Sequence, residues 1–210
     1  MIIAIDGPAG SGKGTLARKL ADALGYAHLD TGKLYRAVGM SVVEAGENPA
    51  NEEAALRAAR SLEPQMVVNK DLLGDIAAAS ASKVAAIRSV RAILLAFQRE
   101  FANAPPNRAK GAVLDGRDIG TVVCPDADIK LFVTASAEVR AKRRHKELLD
   151  RGEPSIYSRV LQDMKVRDKR DEGRAVAPLK PAHDALVIDT SELDADAVFE
   201  TAMSIVSEDT

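Results

Sequence analysis

The glycine-rich segment Gly7-Pro8-Ala9-Gly10-Ser11-Gly12-Lys13-Gly14-Thr15 is the most informative part of this sequence. It follows a continuous apolar run at residues 1–5, of the kind found in strands that are covered on both faces. It leads into residues 15–24, where leucines and alanines recur at helical spacing. A strand, a glycine-rich turn and a helix in this order open a βαβ unit, and G-x-x-x-x-G-K in this context is the phosphate-binding P-loop.

The composition of this loop suits a polyphosphate, and we expect residues 7–15 to bind ATP. Glycines allow backbone N–H groups to approach phosphate oxygens, the helix N-terminus adds the positive end of its dipole, and Lys13 adds a mobile cation. Gly14 stands where Ser or Thr commonly follows the lysine, so that Thr15 comes second. The resulting G-K-G-T form resembles nucleoside monophosphate kinases more than GTPases.

Four further apolar runs predict the other strands of a parallel sheet: residues 26–29, 112–114, 129–133 and 186–188. Each run is short and alternates with helical pattern, which is typical of an α/β fold. Several of the five runs end in an acidic residue, namely Asp6, Asp30, Asp115 and Asp189. Because ligands of open α/β sheets bind beyond the carboxyl ends of the strands, we expect the chemistry at this edge.

Two blocks depart from the alternation of strands and helices. Residues 33–111 are long for one crossover and predict an inserted lobe, with helices at 33–45, 51–62 and 90–101 and a small hairpin at 66–71. Residues 140–174 contain 12 Lys/Arg and 7 Asp/Glu, a net charge of +5 in a chain of formal charge −2. This basic block is either the contact for an anionic ligand or a solvated helix pair with i,i+4 ion pairs, and composition alone does not decide between them.

Composition argues against several classes of protein. No apolar stretch approaches the ~20 residues of a membrane span, and residues 1–5 are too short for a signal peptide. The single cysteine, Cys124, cannot form an internal disulfide and is predicted to be a buried apolar residue. The low aromatic content argues against a stacking surface for nucleic acid. We therefore expect a single-domain, cytoplasmic protein whose partners include neither nucleic acid nor a membrane. A monomer is expected as well, although no feature of the composition determines the oligomeric state.

Three further segments are similar to bacterial cytidylate kinases. They are His28-Leu29-Asp30-Thr31-Gly32-Lys33-Leu34-Tyr35-Arg36, Leu114-Asp115-Gly116-Arg117-Asp118-Ile119-Gly120-Thr121-Val122-Val123 and Asp171-Glu172-Gly173-Arg174-Ala175-Val176-Ala177-Pro178-Leu179. With the P-loop they span nearly the whole chain, and the last two are narrower signals than the loop. The resemblance implies a three-layer P-loop fold around a five-stranded parallel sheet, with an inserted lobe for the nucleoside monophosphate at 33–111 and a helical lid at 140–174.

The resemblance also implies a set of residues that bind the acceptor, CMP or dCMP: Thr31, Tyr35, Arg36, Ser82, Arg91, Arg117, Asp118, Arg167, Asp171 and Arg174. The resemblance assigns binding of the dianionic phosphate to Arg36, Arg117 and Arg174, in keeping with the preference of phosphates for guanidinium forks. The sugar hydroxyls fall to Asp171 and Arg167. The alternative for any lone arginine is a surface ion pair.

Recognition of the base is implied for a smaller group of residues. The N4 amine of cytosine falls to Asp118, helped by Ser82, and the N3/O2 edge falls to Arg91. Uracil would turn an acceptor towards Asp118, and an unpaired buried charge costs at least ~1–3 kcal/mol, so CMP is favoured over UMP. The alternative for Ser82 is a helix N-cap, and the alternative for Arg91 is a solvated position on a helix.

The implied reaction is transfer of the γ-phosphoryl group of ATP to CMP or dCMP. Lys13, Arg117 and Arg174 are the implied catalytic residues, because the reaction needs alignment and positive charge rather than an essential base. Mg²⁺ is expected to enter with ATP, held by Thr15 and with Asp115 nearby, directly or through water.

The lid is expected to contribute Arg143 and Arg144 to ATP binding and to exclude water when it closes. Two other hypotheses use the same residues. One is a P-loop kinase for another small acceptor, such as AMP, UMP or shikimate. The other is a nucleotide-binding module without turnover, for which a second phosphate site has no purpose.

Overall fold

The computed structural model describes residues 1–62, 72 and 74–208, which fold into alternating strands and helices. The elements are β1 (Ile2–Asp6), α1 (Lys13–Leu24), β2 (Ala27–Asp30), α2 (Thr31–Glu44), α3 (Glu52–Arg60), α4 (Asp75–Val84), α5 (Arg88–Asn103), β3 (Ala112–Gly116), β4 (Ile129–Thr134), α6 (Ala137–Asp150), α7 (Tyr157–Glu172), β5 (Leu186–Asp189) and α8 (Ala195–Glu208). A short π-helix, Ile119–Val123, follows β3. The hairpin predicted at 66–71 lies outside the described residues.

The five strands form one sheet in the order β2-β3-β1-β4-β5, and every neighbouring pair is parallel. This confirms the predicted α/β fold with a central five-stranded parallel sheet. The last residue of β1, Asp6, is in register with Gly116 of β3 and Phe132 of β4. The carboxyl ends of the three central strands therefore meet at one edge, where the P-loop begins.

Helices cover both faces of the sheet, as the continuous apolar strands predict. Ile3 and Ile5 point to one face and pack with residues of α1 and α8, whereas Ala4 points to the other face, against the end of α5 and the π-helix. Burying each isoleucine contributes roughly 1.5–3 kcal/mol. Cys124 belongs to the second cluster and is buried as predicted.

Two helical groups pack away from the centre of the sheet. Helices α2 to α5 share a cluster that includes Leu34, Val38 and Leu94. Helix α5 also reaches the sheet through Phe101 and Ala102, so one helix belongs to both clusters. Helices α6 and α7 form a smaller cluster, which Ala9 of the P-loop contacts. Among the described helices, none is both long and apolar enough to cross a bilayer.

Candidate active site

The P-loop turns sharply between β1 and α1. Gly7 has a φ of +154° and Gly12 a φ of +91°, which L side chains rarely adopt. A Cβ at Gly7 would lie 2.0 Å from the carbonyl oxygen of Val133, so the loop passes directly over the end of β4. Helix α1 begins at Lys13, and its N-cap residue offers no side-chain hydrogen bond. The start of the helix is therefore left to receive an anion.

Lys13 is held in a poorly solvated position at the base of this loop. Its Nζ donates to the carbonyl of Pro8 at 3.2 Å. Burial, reinforced by the charge of Arg117, lowers the pKa of Lys13 to about 7, although Asp115 and Asp30 act in the opposite direction. A bound polyphosphate would favour the ammonium form, because it brings several negative charges close to the amine.

The P-loop and the predicted acceptor residues line one cleft of about 810 Å³. The predicted residues that the structure brings together there are Ala9, Gly10, Gly12, Lys13, Gly14, Thr15, Thr31, Tyr35, Arg36, Ser82, Arg91, Arg117, Asp118, Arg143, Arg144, Arg167, Asp171 and Arg174. The lining does not include Gly7, Pro8 or Ser11, which belong to the same loop. The donor and acceptor residues therefore share one space.

A single carboxylate, Asp171, organises the acceptor end of the cleft. It is 1% exposed and accepts from the Ser82 hydroxyl at 3.1 Å, from Nε of Arg117 at 3.1 Å and from Arg174. Burial raises the pKa of Asp171, but Arg117, Arg174 and Arg167 outweigh it, and the net pKa lies below its ordinary value. Ser82 lies inside α4 and bonds to Asp171, so it is neither a helix N-cap nor a direct partner of Asp118.

Positive charge accumulates around Asp171. Burial, followed by the charge of Arg117, lowers the pKa of Arg167 to about 9, and Arg36 and Arg174 add to the repulsion. The Nε atoms of Arg36, Arg167 and Arg174 are buried and make no hydrogen bond within the described part of the chain. Unused guanidinium donors in a crowded positive site fit a dianionic phosphate.

The wall beside this charge cluster carries a buried ion pair. Asp118 is 5% exposed and Arg91 is 7% exposed, and their side chains hydrogen-bond to each other. Burial raises the pKa of Asp118, while Arg91 lowers it. The Arg91 guanidinium also lies 5.7 Å from the centre of the Tyr35 ring. Arg91 is therefore not a solvated helix residue, and the pair offers both an acceptor and donors to a base.

Arg143 and Arg144 are engaged by the protein itself. Arg143 donates to Oγ1 of Thr190 at 2.8 Å and to its carbonyl oxygen at 2.6 Å, which ties α6 to the loop after β5. Arg144 pairs with Asp75 at 2.5 Å and with Glu147 at 3.0 Å. The basic block therefore contains ion pairs within its helices, and some of its arginines line the cleft; its contact with an anionic ligand stays a prediction.

Thr15 and Asp115 have the chemistry to assist a nucleotide-borne Mg²⁺. Both line the cleft, and Oδ2 of Asp115 lies 3.6 Å from where a Cβ of Gly14 would stand. The described residues contain no group of three or more His, Cys, Asp or Glu that could hold a metal by themselves. Mg²⁺ is commonly bound through substrate phosphates, water and one or two protein oxygens, and the Thr15 hydroxyl and the Asp115 carboxylate are oxygens of this kind.

Two residues of this region are not assigned a role from the sequence. Nε2 of His28 lies 2.8 Å from Oδ1 of Asp115. Asp6 accepts two backbone hydrogen bonds from the π-helix, at Ile119 and Gly120. Asp6 ends strand β1, and His28 lies two residues before the end of strand β2. Their positions near the carboxyl ends of strands, where ligands of such sheets bind, are the sequence feature that points to them. The other histidines contact no residue of the site: His145 bonds to Ser155, and His183 is exposed.

Solved structures support the fold. An uncharacterized protein from Eubacterium ventriosum has a TM-score of 0.56 at 18% identity, covering 99% of this chain and 98% of that chain. TT1252 from Thermus thermophilus has a TM-score of 0.53 at 19% identity, covering 99% of this chain and 96% of that chain. At these identities the likeness concerns the fold alone.

Sequence comparison is more specific. The family model described as cytidylate kinase matches residues 3–208. The cytidylate kinase of Paramagnetospirillum magneticum is 62% identical over 205 residues, covering 98% of this chain and 97% of that protein. The cytidylate kinase of Rhodospirillum rubrum is 58% identical over 207 residues, covering 99% and 97%. The range matched by the family model spans the residues of the P-loop and of the acceptor segments, and the chain belongs to the cytidylate kinase family.

Proposed function

We propose that this chain transfers the γ-phosphoryl group of ATP to CMP or dCMP, giving CDP or dCDP and ADP. The observation that carries the proposal is the single cleft in which a phosphate-binding loop faces a second cluster of guanidinium groups. A protein that only binds ATP has no use for the second cluster. Membership of the cytidylate kinase family supports the choice of acceptor.

Arg36, Arg117 and Arg174 bind the phosphate of the acceptor. The Nε atoms of Arg36 and Arg174 make no hydrogen bond in the described part of the chain, and burial, together with the charge of nearby Arg117, lowers the pKa of Arg174. An incoming dianion would take up these donors and relieve the crowding of positive charge. Asp171 holds two of these arginines in place, and together with Arg167 it reaches the sugar hydroxyls. The cost of burying Asp171 as a charge is offset by the three guanidinium groups around it.

Asp118 and Arg91 read the cytosine base. A carboxylate accepts from the N4 amine, and a guanidinium donates to N3 and O2. Because each partner is buried, a base with the wrong pattern would leave one of them unpaired, at a cost of about 1–3 kcal/mol. Ser82 acts indirectly through its bond to Asp171, and Thr31 and Tyr35 complete the walls of the pocket.

On the donor side, residues 7–15 cradle the β- and γ-phosphates, and Lys13 neutralises charge as it develops on them. Thr15 and Asp115 would help to hold Mg²⁺, which neutralises the phosphates of ATP and orients them. A phosphate oxygen of CMP bonds to the γ-phosphorus while the bond from that phosphorus to the β–γ bridging oxygen breaks. The attacking dianion carries no proton that must be removed, so no general base is required.

Residues 33–111 act as the acceptor lobe and residues 140–174 as the lid, in a monomer that works in the cytoplasm. The pair between Arg144 of α6 and Asp75 of α4 joins lid and lobe across the cleft. Arg143 and Arg144 would bind ATP from this side of the cleft. The bonds of Arg143 to Thr190 would hold its guanidinium against the loop after β5. Light scattering tests the monomer, and a dimer at micromolar concentration would contradict it.

The test is a coupled assay of ADP release at fixed Mg·ATP, with CMP, dCMP, UMP, AMP and shikimate offered separately. We expect strong turnover with CMP and dCMP and weak turnover with UMP. Turnover with another acceptor alone would retain a kinase and refute the base-reading roles. If no offered acceptor supports ADP release, phosphoryl transfer to these acceptors is refuted.

A further inference from the structure

Asp6 joins the donor loop to the acceptor site. It is the last residue of β1, stands directly before Gly7 of the P-loop and is 4% exposed. Its Oδ1 accepts from the amide of Ile119 and its Oδ2 from the amide of Gly120, both at 2.8 Å. Both oxygens of one carboxylate are therefore used to hold the first two amides of the π-helix.

That π-helix begins immediately after Arg117 and Asp118. The carbonyl of Asp118 accepts from the amides of Val122 and Val123 at 2.9 and 3.1 Å, so the same turn fixes the backbone that carries the base-reading carboxylate. The side chain of Asp118 does not cap the turn, which leaves this task to Asp6. The first amides of a helix need an acceptor, and short π-helical segments are frequent at functional sites.

Keeping a carboxylate in this position is costly. The net pKa of Asp6 is raised to about 7: burial raises it most, the charge of Asp118 adds to this, and the two amide bonds and the charge of Arg117 oppose it. A residue chosen only to fill space would be apolar and would avoid this cost. The position therefore indicates a requirement for an acceptor that can satisfy two N–H groups at once.

We propose that Asp6 is a positioning residue, which sets the distance between the P-loop and the Arg117–Asp118 segment through its two bonds to the π-helix. The inference rests on the proposed function, because it concerns residues assigned to CMP. A residue that merely stabilises the fold would weaken donor and acceptor binding alike. A positioning residue for this segment affects the acceptor selectively.

The experiment compares Asp6→Asn with the wild type. The amide side chain keeps the shape but places an NH₂ donor against one of the two backbone donors, which displaces the turn. We expect kcat/KM for CMP to fall on the order of 10–100-fold, because a small misplacement of the groups that hold a substrate is costly, and the ratio of kcat/KM for CMP to that for UMP to fall with it. The affinity for Mg·ADP, measured by calorimetry, should stay within about 3-fold of the wild type, since such a change is below 1 kcal/mol.

A matched control lies at the other end of the same strand. Oδ2 of Asp128 accepts from the amide of Ile2 at 2.6 Å, far from the cleft. Asp128→Asn makes the same side-chain change at an exposed carboxylate that accepts one backbone N–H, which the amide oxygen can still accept, and it should leave the ratio of kcat/KM for CMP to that for UMP unchanged.

A second variant reaches the turn from its own side and keeps the test valid if Asp6→Asn fails to fold. A Cβ at Gly120 would lie 3.2 Å from Cδ of Lys130, so Gly120→Ala shifts the turn slightly without touching the P-loop. We expect the same selective loss for CMP, at smaller size. Wild-type turnover of CMP is measured first, because its absence refutes the proposed function instead. Given that turnover, unchanged CMP kinetics in the folded variants, or an equal loss of Mg·ADP and CMP affinity, would overturn the role of Asp6.

Discussion

The donor half and the acceptor half of the cleft are built in different ways. The proposed donor half is a continuous loop, residues 7–15, rich in glycine, which offers mainly backbone N–H groups to a phosphate. The acceptor half collects buried side chains from distant segments, such as Arg91 with Asp118 and Ser82 with Asp171. A local backbone cradle depends on a few glycines. An assembled site depends on the packing of the whole chain, so the two halves should respond differently to substitution.

The largest effect is expected from Lys13→Ala. Loss of one cation that stabilises the transition state should lower kcat on the order of 10²–10³-fold, while the affinity for CMP stays near that of the wild type. Steady-state rates and a CMP titration measure the two halves separately. Lys19→Ala is the matched control, because Lys19 pairs with Asp196 at the surface. Near-full turnover of Lys13→Ala would refute the donor assignment.

Arg117→Lys should strike the other half. It keeps the charge but removes the planar fork that serves Asp171 and the incoming phosphate. We expect kcat/KM for CMP to fall by roughly 10–100-fold, corresponding to the loss of a charged hydrogen bond of about 1.5–3 kcal/mol. The affinity of the variant for Mg·ADP should stay near that of the wild type. The control is Arg57→Lys, at an exposed pair with Glu47. Equal losses on both sides would contradict the separation of the halves.

Asp118→Ala should change selectivity more than rate. Arg91 would lose its buried partner, and CMP would lose the acceptor for its N4 amine. The preference for CMP over UMP should shrink by about 10-fold, equivalent to roughly 1.4 kcal/mol. Initial rates with each acceptor at low concentration give this ratio. If the preference is unchanged, another group reads the base.

The smallest effect is a proton balance at the donor site. Burial lowers the pKa of Lys13 to about 7, and bound polyphosphate should return it towards its ordinary value of 10.5. Between these values the complex holds more protons than the free protein, so binding takes up a fraction of one proton and affinity weakens as pH rises. Calorimetry of Mg·ADP binding at about pH 8.5 in buffers of different ionisation enthalpy measures this. Lys13→Met is the control, and equal uptake by both proteins would contradict the assignment.

The two halves also differ in what the sequence predicts. The P-loop, the five strands and the α/β fold follow from local patterns. Helix α2 begins at Thr31 rather than at residue 33, and the Thr31 hydroxyl donates to the carbonyl of Asp115 at the end of the neighbouring strand β3. Helix α4 is not predicted, since its large apolar residue Ile76 is exposed and the rest of the helix is mostly Ala and Ser.

Local sequence patterns do not predict which side chains of the acceptor half contact each other. Ser82 meets Asp171 across 89 residues, and Asp6 meets Ile119 across 113. Resemblance selects the participants, such as Asp171, but not which of them touch. The bond of His28 to Asp115 depends in the same way on the pairing of β2 with β3, and the order of strands in a sheet cannot be read from a single sequence.

The assignment of the acceptor site is best tested by a crystal structure of the chain with bound CMP. We predict that the phosphate accepts hydrogen bonds from Arg36, Arg117 and Arg174, and that the cytosine N4 amine donates to Asp118 beside Arg91. CMP bound with its base away from Asp118, or with its phosphate on the P-loop, would contradict the acceptor site described here.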